Sequence, residues 1–158
     1  MIQKKFVRAY MNIARTFADL SYARKLKVGA IIVKDKRIIS TGYNGMPAGW
    51  TNICEEPIYE EGEYDPNIYY KTKNEVLHAE SNALMKVAAS TDSSQGASLF
   101  CTHTPCIECA KLIVQAGIIH VYIDRRYTSS KGCGIEFLRT SRVAVTYMSE
   151  VERETFEV

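Results

Sequence analysis

The 158-residue sequence has no apolar run near the roughly 18 residues that a membrane-spanning helix needs. Its first residues, Met1 to Phe6, lack an apolar signal core followed by a small-residue cleavage site. The five cysteines are an odd number, and without a secretion signal a disulfide framework is not expected. The sequence therefore predicts a cytoplasmic protein without a membrane partner, whose cysteines serve a metal or a catalytic site.

Neither sign of charge dominates, because 20 Lys and Arg stand against 18 Asp and Glu. With 46% apolar and 24% charged residues, the composition excludes collagen, coiled coil and disorder, and the length fits a single domain over residues 1–158. Residues 51–70 contain no Lys or Arg, which leaves 20 basic against 12 acidic residues in the other 138. We expect a solvated acidic loop on a basic body suited to anionic ligands. The acidic residues of that loop are Glu55, Glu56, Glu60, Glu61, Glu63 and Asp65.

Hydrophobic periodicity predicts an α/β chain. Residues 28–33 and 37–42 indicate a β-hairpin, and a later strand, helix and strand imply a right-handed βαβ unit with parallel strands. Residues 45–74 hold several Gly and Pro with little periodicity, which is typical of a functional or mobile loop. The predicted helices are 6–23, 78–89, 105–116 and 135–138, and the remaining predicted strands are 97–102, 118–123 and 143–148.

Two short motifs place metal-binding side chains at the starts of predicted helices. Cys106 and Cys109 are three residues apart, so they share a helix face, and a helix N-terminus favours their thiolate forms. Together with His78 they give three protein ligands for Zn²⁺, which leaves the fourth position open for water, as in catalytic zinc sites. Glu80, two residues after His78, is close enough to move protons on that water without binding the metal. The sequence therefore predicts a catalytic zinc site with Glu80 as its acid–base residue.

Neither motif is specific alone, since Cys-x-x-Cys also occurs in redox pairs and in structural zinc sites. Together, His-x-Glu and Pro-Cys-x-x-Cys in this order match the signature of zinc nucleobase deaminases. On these motifs and the Gly-Tyr-Asn-Gly segment at 42–45, the chain resembles the deoxycytidylate (dCMP) deaminases, most of all the phage members. The segments that carry the resemblance are 28–33, 38–49, 78–84 and 106–117.

The resemblance implies a three-layer α/β/α cytidine deaminase-like fold with a mixed five-stranded sheet. It also implies hydrolytic deamination of dCMP to dUMP and ammonia, which supplies the precursor of thymidylate, in the cytoplasm (the host cytoplasm for a viral protein). Activation by dCTP and inhibition by dTTP, Mg²⁺ with the regulatory nucleotide, and a homo-oligomer, typically a hexamer, are further implications.

Site residues follow from the same resemblance. It implies that Asn44 and Tyr127 contact the substrate, and the neighbouring candidates are Ala79, Thr104 and Pro105. The candidates for the regulatory nucleotide are Arg24, Lys27, Gly42, Tyr43, Asn44 and Gly45. Two basic clusters can bind phosphate or be ordinary surface charges, namely Arg24, Lys25 and Lys27, and Arg125 with Arg126.

Other functions stay open at this stage. A deaminase acting on tRNA adenosine or free cytidine shares both zinc motifs, and a noncatalytic zinc-stabilised binding module could use the same fold. Glu80 argues against a purely structural site, which has no need of a carboxylate there. No ordered basic stripe is visible, so a nucleic-acid partner is not expected.

The remaining cysteines and histidines are not assigned to the catalytic site. Some phage relatives carry a second, structural zinc, but the N-terminal half and the long loop offer only Cys54 besides His78, so a second zinc is not expected. Cys101 is predicted as a buried strand thiol and His120 as a structural residue. His103 is predicted as a loop histidine without a function.

Overall fold

A mixed five-stranded sheet forms the middle layer of the computed structural model, which describes residues 2–58 and 69–153. In chain order the strands are β1 Gly29–Lys34, β2 Arg37–Tyr43, β3 Glu55–Ile58, β4 Tyr69–Thr72, β5 Ser98–His103, β6 His120–Arg125 and β7 Ala144–Tyr147. The main sheet has the order β2-β1-β5-β6-β7, with β1 antiparallel to both neighbours and β5, β6 and β7 parallel. The antiparallel pair β3–β4 forms a separate hairpin.

Helices cover both faces of this sheet. They are α1 Lys4–Asp19, α2 Ala79–Ala88, α3 Ile107–Gln115, α4 Ile135–Thr140 and α5 Met148–Arg153. Successive residues of a strand point to opposite faces, so Ile31 packs with α1 and α5 while Ile32 packs with α2, α3 and α4. Two apolar cores result, one on each face, and the predicted three-layer α/β/α fold with a mixed five-stranded sheet is confirmed.

Two glycines in the first hairpin let the helices approach the sheet closely. A Cβ on Gly29 would collide with the carbonyl oxygen of Ala14 in α1, and one on Gly42 would collide with that of Ala79 in α2. Because these contacts are with helix backbone, a side chain at either position would push the helix away. Gly42 therefore helps to set the position of α2.

Most predicted elements are present with small shifts at their ends. The strands β5 and β6 are parallel around α3, as predicted. The first helix ends at Asp19 rather than at residue 23. Beyond it, the Ser21 hydroxyl donates to the carbonyl of Asn44 at 2.7 Å, so the chain leaves the helix to join the first hairpin. Hydrophobic periodicity in the sequence does not indicate this tertiary contact, so it does not predict where the helix ends.

The predicted 45–74 loop is wrong in part, because it contains the hairpin β3–β4. Glu55 is buried, whereas Glu56 is exposed. The prediction that the acidic residues of this loop are solvated is therefore wrong for Glu55. The predicted loop residues Glu60, Glu61, Glu63 and Asp65 lie outside the described residues. Within residues 2–58 and 69–153, no helix has the length and apolar character that crossing a bilayer requires.

Candidate active site

His78, Cys106 and Cys109 bring three potential metal-ligand atoms together at the starts of two helices. His78 immediately precedes α2, Cys106 immediately precedes α3, and Cys109 lies in the first turn of α3. The Nδ1 atom of His78 lies 3.5 Å from the Sγ of Cys106 and 3.3 Å from the Sγ of Cys109. All three ligand atoms lie within 4.8 Å of one another. Two thiols and one imidazole in this arrangement fit the donor set of a tetrahedral zinc ion with one open position.

A hydrogen bond links the side chains of Cys106 and Cys109. A hydrogen bond from the Cys109 thiol is the main reason that the pKa of Cys106 falls to about 3, and it also raises the pKa of Cys109. The backbone N–H of Cys109 donates to the same Cys106 sulfur at 3.5 Å. Since a metal-binding thiolate must be deprotonated, a bound zinc ion would displace the proton of the Cys109 thiol.

Glu80 lies beside this cluster in the first turn of α2 and is buried. Its Oε2 lies 3.7 Å from the Sγ of Cys109. Burial is the largest cause that raises the pKa of the Glu80 carboxyl above its ordinary value. A carboxyl group with a raised pKa accepts a proton more readily than an ordinary carboxylate, which suits a general acid–base residue.

The cluster opens into a cavity of about 360 Å³, within the range of small-molecule sites. We define its floor as the lining residues closest to the metal ligands, which are buried apart from half-buried His78: His78, Ala79, Glu80, Thr104 and Cys106. We define its mouth as the exposed or half-buried lining residues Lys25, Lys71, Lys73, Tyr127 and Lys131. The floor residues lie at or near the starts of α2 and α3. The mouth residues lie in three other parts of the chain, which are the segment before β1, the end of the β3–β4 hairpin and the loop after β6.

Asn44 joins the first hairpin to one wall of the cavity. Its Oδ1 accepts from the backbone N–H of Val28 at 2.8 Å, and its Nδ2 donates to the carbonyl of Leu26 at 2.8 Å. Both Val28 and Leu26 line the cavity together with Asn44. The asparagine thus fixes the wall and keeps a second Nδ2 hydrogen available for a ligand.

The predicted substrate contacts lie mostly together. Asn44, Tyr127, Ala79 and Thr104 line the cavity, whereas Pro105 is fully buried and is not among its lining residues. The Thr104 hydroxyl accepts from the backbone N–H of Tyr127 at 3.1 Å, so the floor holds one residue of the mouth.

The predicted regulatory residues are not brought together at one place. Arg24 and Lys27 line a shallow hollow that begins at Asp19, and Asn44 lines the main cavity. Gly42 is buried against α2, and Gly45 forms a backbone bridge with Leu77. The ring of Tyr43 lies under the ammonium group of Lys86, which is 6.0 Å from the ring centroid.

Three basic residues of the cavity were not identified from the sequence: Lys71, Lys73 and Lys131. Lys71 and Lys73 belong to the unpredicted hairpin and carry no motif. The predicted phosphate candidates Arg125 and Arg126 are exposed and do not line the cavity. The guanidinium of Arg126 instead lies 4.2 Å from the ring centroid of Tyr147.

His103 also lines the cavity, at the end of β5 rather than in a loop. Its ring meets that of Tyr127 edge to face, with centroids 5.9 Å apart, and burial lowers its pKa. Cys54 has a different environment, since it packs against Ala23 and Val76. Burial raises the pKa of the Cys54 thiol, and no metal-ligand group among the described residues includes it.

A three-ligand zinc site with an adjacent buried glutamate on an α/β/α sheet is typical of zinc nucleobase deaminases. Residues 4–124 match the family model of the cytidine and deoxycytidylate deaminase zinc-binding region. The chain therefore belongs to the cytidine and deoxycytidylate deaminase family.

Three similar proteins match between 75% and 94% of the chain. The deoxycytidylate deaminase of Enterobacteria phage T4 is 32% identical, over 85% of this chain and 86% of its own. The dCMP deaminase of cyanophage S-TIM5, solved in complex with dCMP and dUMP, is 40% identical with a TM-score of 0.80, over 94% of this chain and 100% of its own. ComE operon protein 2 of Bacillus subtilis is 36% identical over 75% of this chain, which spans 58% of that relative's length.

Proposed function

We propose that the protein hydrolyses dCMP to dUMP and ammonia, and so supplies dUMP for thymidylate synthesis. The observation that carries this proposal is the buried Glu80, whose Oε2 lies 3.7 Å from the Cys109 sulfur beside the ligand cluster. The likeness to deaminases named for deoxycytidylate, one of them solved with dCMP and dUMP, supports this choice of substrate.

His78, Cys106 and Cys109 would hold the zinc ion, whose chemistry when bound is the activation of water for attack on the amino-bearing ring carbon. Glu80 accepts the proton of that water at a carboxylate oxygen and delivers it to the adjacent ring nitrogen. After the C–O bond has formed, Glu80 accepts the remaining proton of the new hydroxyl group and transfers it to the amine, so that the C–N bond breaks, ammonia departs and the ring carbonyl forms. The buried position of Glu80 keeps bulk water from competing for that proton.

The substrate contacts in this proposal are Asn44, Tyr127, Ala79 and Thr104, whereas Pro105, which does not line the cavity, supports them from behind. Asn44 supplies its remaining amide hydrogen, because its other hydrogen bonds are made to Leu26 and Val28. Tyr127 covers the ligand from the mouth, and its backbone is fixed by Thr104. Pro105 contributes through the backbone, since its carbonyl accepts from the N–H of Gly134 at 3.0 Å and fixes the loop before α4.

We further propose that dCTP activates and dTTP inhibits the enzyme, each with Mg²⁺, in a homo-oligomer such as a hexamer. The hollow beside Arg24 and Lys27 offers two cations for the phosphates of that nucleotide. Tyr43 and Gly45 belong to the hairpin end that adjoins Asn44, so they would transmit the effect to the cavity wall. Activity with each nucleotide and the mass of the particle by light scattering test this regulation.

An assay of ammonia release on dCMP, deoxycytidine, CMP and tRNA tests the reaction and its substrate together. We expect turnover of dCMP above all others, with dUMP as the product. Preference for deoxycytidine or tRNA would assign another deaminase activity. Zinc binding without turnover of any of the four would instead support the noncatalytic binding module.

A further inference from the structure

Four lysines give the cavity mouth an excess of positive charge. Lys25, Lys71, Lys73 and Lys131 line it, whereas Glu55 and Glu80 are the only carboxylates among the described lining residues. The lysines and glutamates of the lining therefore sum to two positive charges, and all four lysines lie at the mouth, whereas the Cys106 thiolate lies on the floor. A phosphate monoester carries about −1.5 to −2 charges near pH 7, so it would balance this excess.

The contacts that these four ammonium groups make with the described residues include no carboxylate, and the Nζ of Lys131 lies 3.5 Å from the Nε2 of His78. In the ranges 2–58 and 69–153, no carboxylate forms an ion pair with any of the four lysines. The nearest lining carboxylate, Glu55, already accepts hydrogen bonds from the backbone of Arg24 at 2.9 Å and of Lys25 at 3.3 Å. The Oε1 atom of Glu55 therefore already accepts two hydrogen bonds from the cavity wall.

The same contacts make the mouth a built structure rather than a set of isolated surface charges. Glu55 ties the start of β3 to the segment that carries Lys25, and the guanidinium of Arg24 lies 5.8 Å from the ring centroid of Tyr70 in β4. The backbone N–H of Lys73 donates to the carbonyl of Cys54 at 2.9 Å. Lys71 lies in β4 and Lys73 directly follows it, and both side chains line the cavity.

We propose that Lys71 and Lys73, assisted by Lys25 and Lys131, bind the 5′-phosphate of the substrate and select a nucleotide over a nucleoside. This inference rests on the proposed function, because the base must lie on the floor beside Glu80 while the phosphate lies at the mouth. Lysine side chains are long and flexible, so exposed ones can converge on one phosphate as point charges. Neither lysine touches the reacting atoms, and both are therefore specificity residues.

The double variant Lys71→Met and Lys73→Met tests this subsite, with Lys34→Met as a matched control. Lys34 lies at the far end of β1, where it donates to the carbonyl of Ser93. We expect kcat/KM for dCMP to fall about 10- to 100-fold in the double variant, as hydrogen bonds to a charged group are lost. The kcat/KM for deoxycytidine should stay unchanged, and Lys34→Met should behave as the parent. Equal losses on both substrates, or no loss on dCMP, would overturn the proposal.

A second measurement separates this proposal from the proposed reaction. Deoxyribose 5-phosphate has no base to deaminate, so its binding, measured by calorimetry on the zinc-loaded protein, reports the subsite alone. We expect binding to the parent and at least a tenfold loss in the double variant. If the parent binds this probe through the lysines but does not turn over dCMP, the subsite stands and the reaction is wrong. If the parent does not bind the probe, or the double variant binds it equally well, the subsite is wrong.

Discussion

The floor and the mouth of the cavity are built in different ways. The floor takes its ligand and acid–base groups from residues at or next to the first turns of α2 and α3, within two short motifs. The mouth takes its lysines from residues 23–28, from the β3–β4 hairpin and from the loop after β6. The two helices fix the floor, whereas the mouth is held by the β3–β4 pairing and by a few contacts between separate segments, such as that of Glu55 with the backbone of Arg24 and Lys25.

This difference separates two parts of the function. In the proposed function the floor would carry the reaction, because Glu80 lies there beside the cluster of His78, Cys106 and Cys109. In our proposal the mouth would carry the choice of substrate, because its lysines favour a charged phosphate at the opening. Changes to the floor should therefore abolish turnover of every substrate, and changes to the mouth should alter the preference among substrates.

The largest expected effect is that of Glu80→Gln. Loss of the general acid–base group should lower kcat by about 10²- to 10⁴-fold on dCMP and deoxycytidine alike. The bound zinc, measured by atomic absorption, should remain at the parent level, because Glu80 is not one of the three ligands. Glu108→Gln is the matched control, since Glu108 lies in the first turn of α3 but is exposed and pairs with Lys111. A Glu80→Gln protein with near-parental kcat would remove Glu80 from the mechanism.

The second expected effect is the loss of zinc in Cys106→Ser. Replacing a thiolate by a hydroxyl leaves two protein ligands, so the purified variant should retain little zinc and show little activity. Cys101→Ser is the control, because Cys101 is also a buried cysteine but donates to the carbonyl of Tyr122 at 3.6 Å instead of joining the cluster. Zinc content by atomic absorption compares the two variants. Equal zinc content in both would show that Cys106 is not a ligand.

The sequence predicts the floor better than the mouth for a physical reason. The floor depends on local spacing, since residues three apart on a helix must share a face. Lys71 and Lys73 reach the cavity only because the hairpin folds back onto residues 23–28 through Glu55. Pro57 lies within β3, and proline is unfavourable in strands, so the segment carries little strand signal. Likewise the end of α1 at Asp19 depends on the contact from Ser21 to Asn44.

Asn44→Ala should weaken the connection between the first hairpin and the cavity wall, with a smaller effect than the floor variants. The change removes two hydrogen bonds and leaves the N–H of Val28 and the carbonyl of Leu26 unpaired, at a cost of about 1–3 kcal/mol in the free energy of unfolding. Denaturant titration measures this cost, and KM for dCMP should rise.

Asn82→Ala is its control, because Asn82 makes one side-chain hydrogen bond, to the carbonyl of Tyr43, and does not line the cavity. It should destabilise less and leave KM near the parental value. If both variants raised KM equally, the position of Asn44 in the wall would not explain its effect on substrate.

The smallest expected effect compares a histidine of the cavity with one at the opposite end of the parallel strands. Burial is the main cause that lowers the pKa of both His103 and His120 below the ordinary value of 6.5. The unfolded chain therefore binds more protons than the folded protein as the pH falls below 6.5, so the free energy of unfolding decreases there.

His120→Gln should flatten this decrease, which denaturant titration between pH 7 and pH 5 measures. It should not change kcat/KM, because His120 contacts Thr146 and Tyr122 and does not line the cavity. His103→Gln should flatten it as well and also change kcat/KM, because His103 lies against Tyr127 in the cavity. Identical effects of the two variants on kcat/KM would show that lining the cavity does not distinguish His103 from His120.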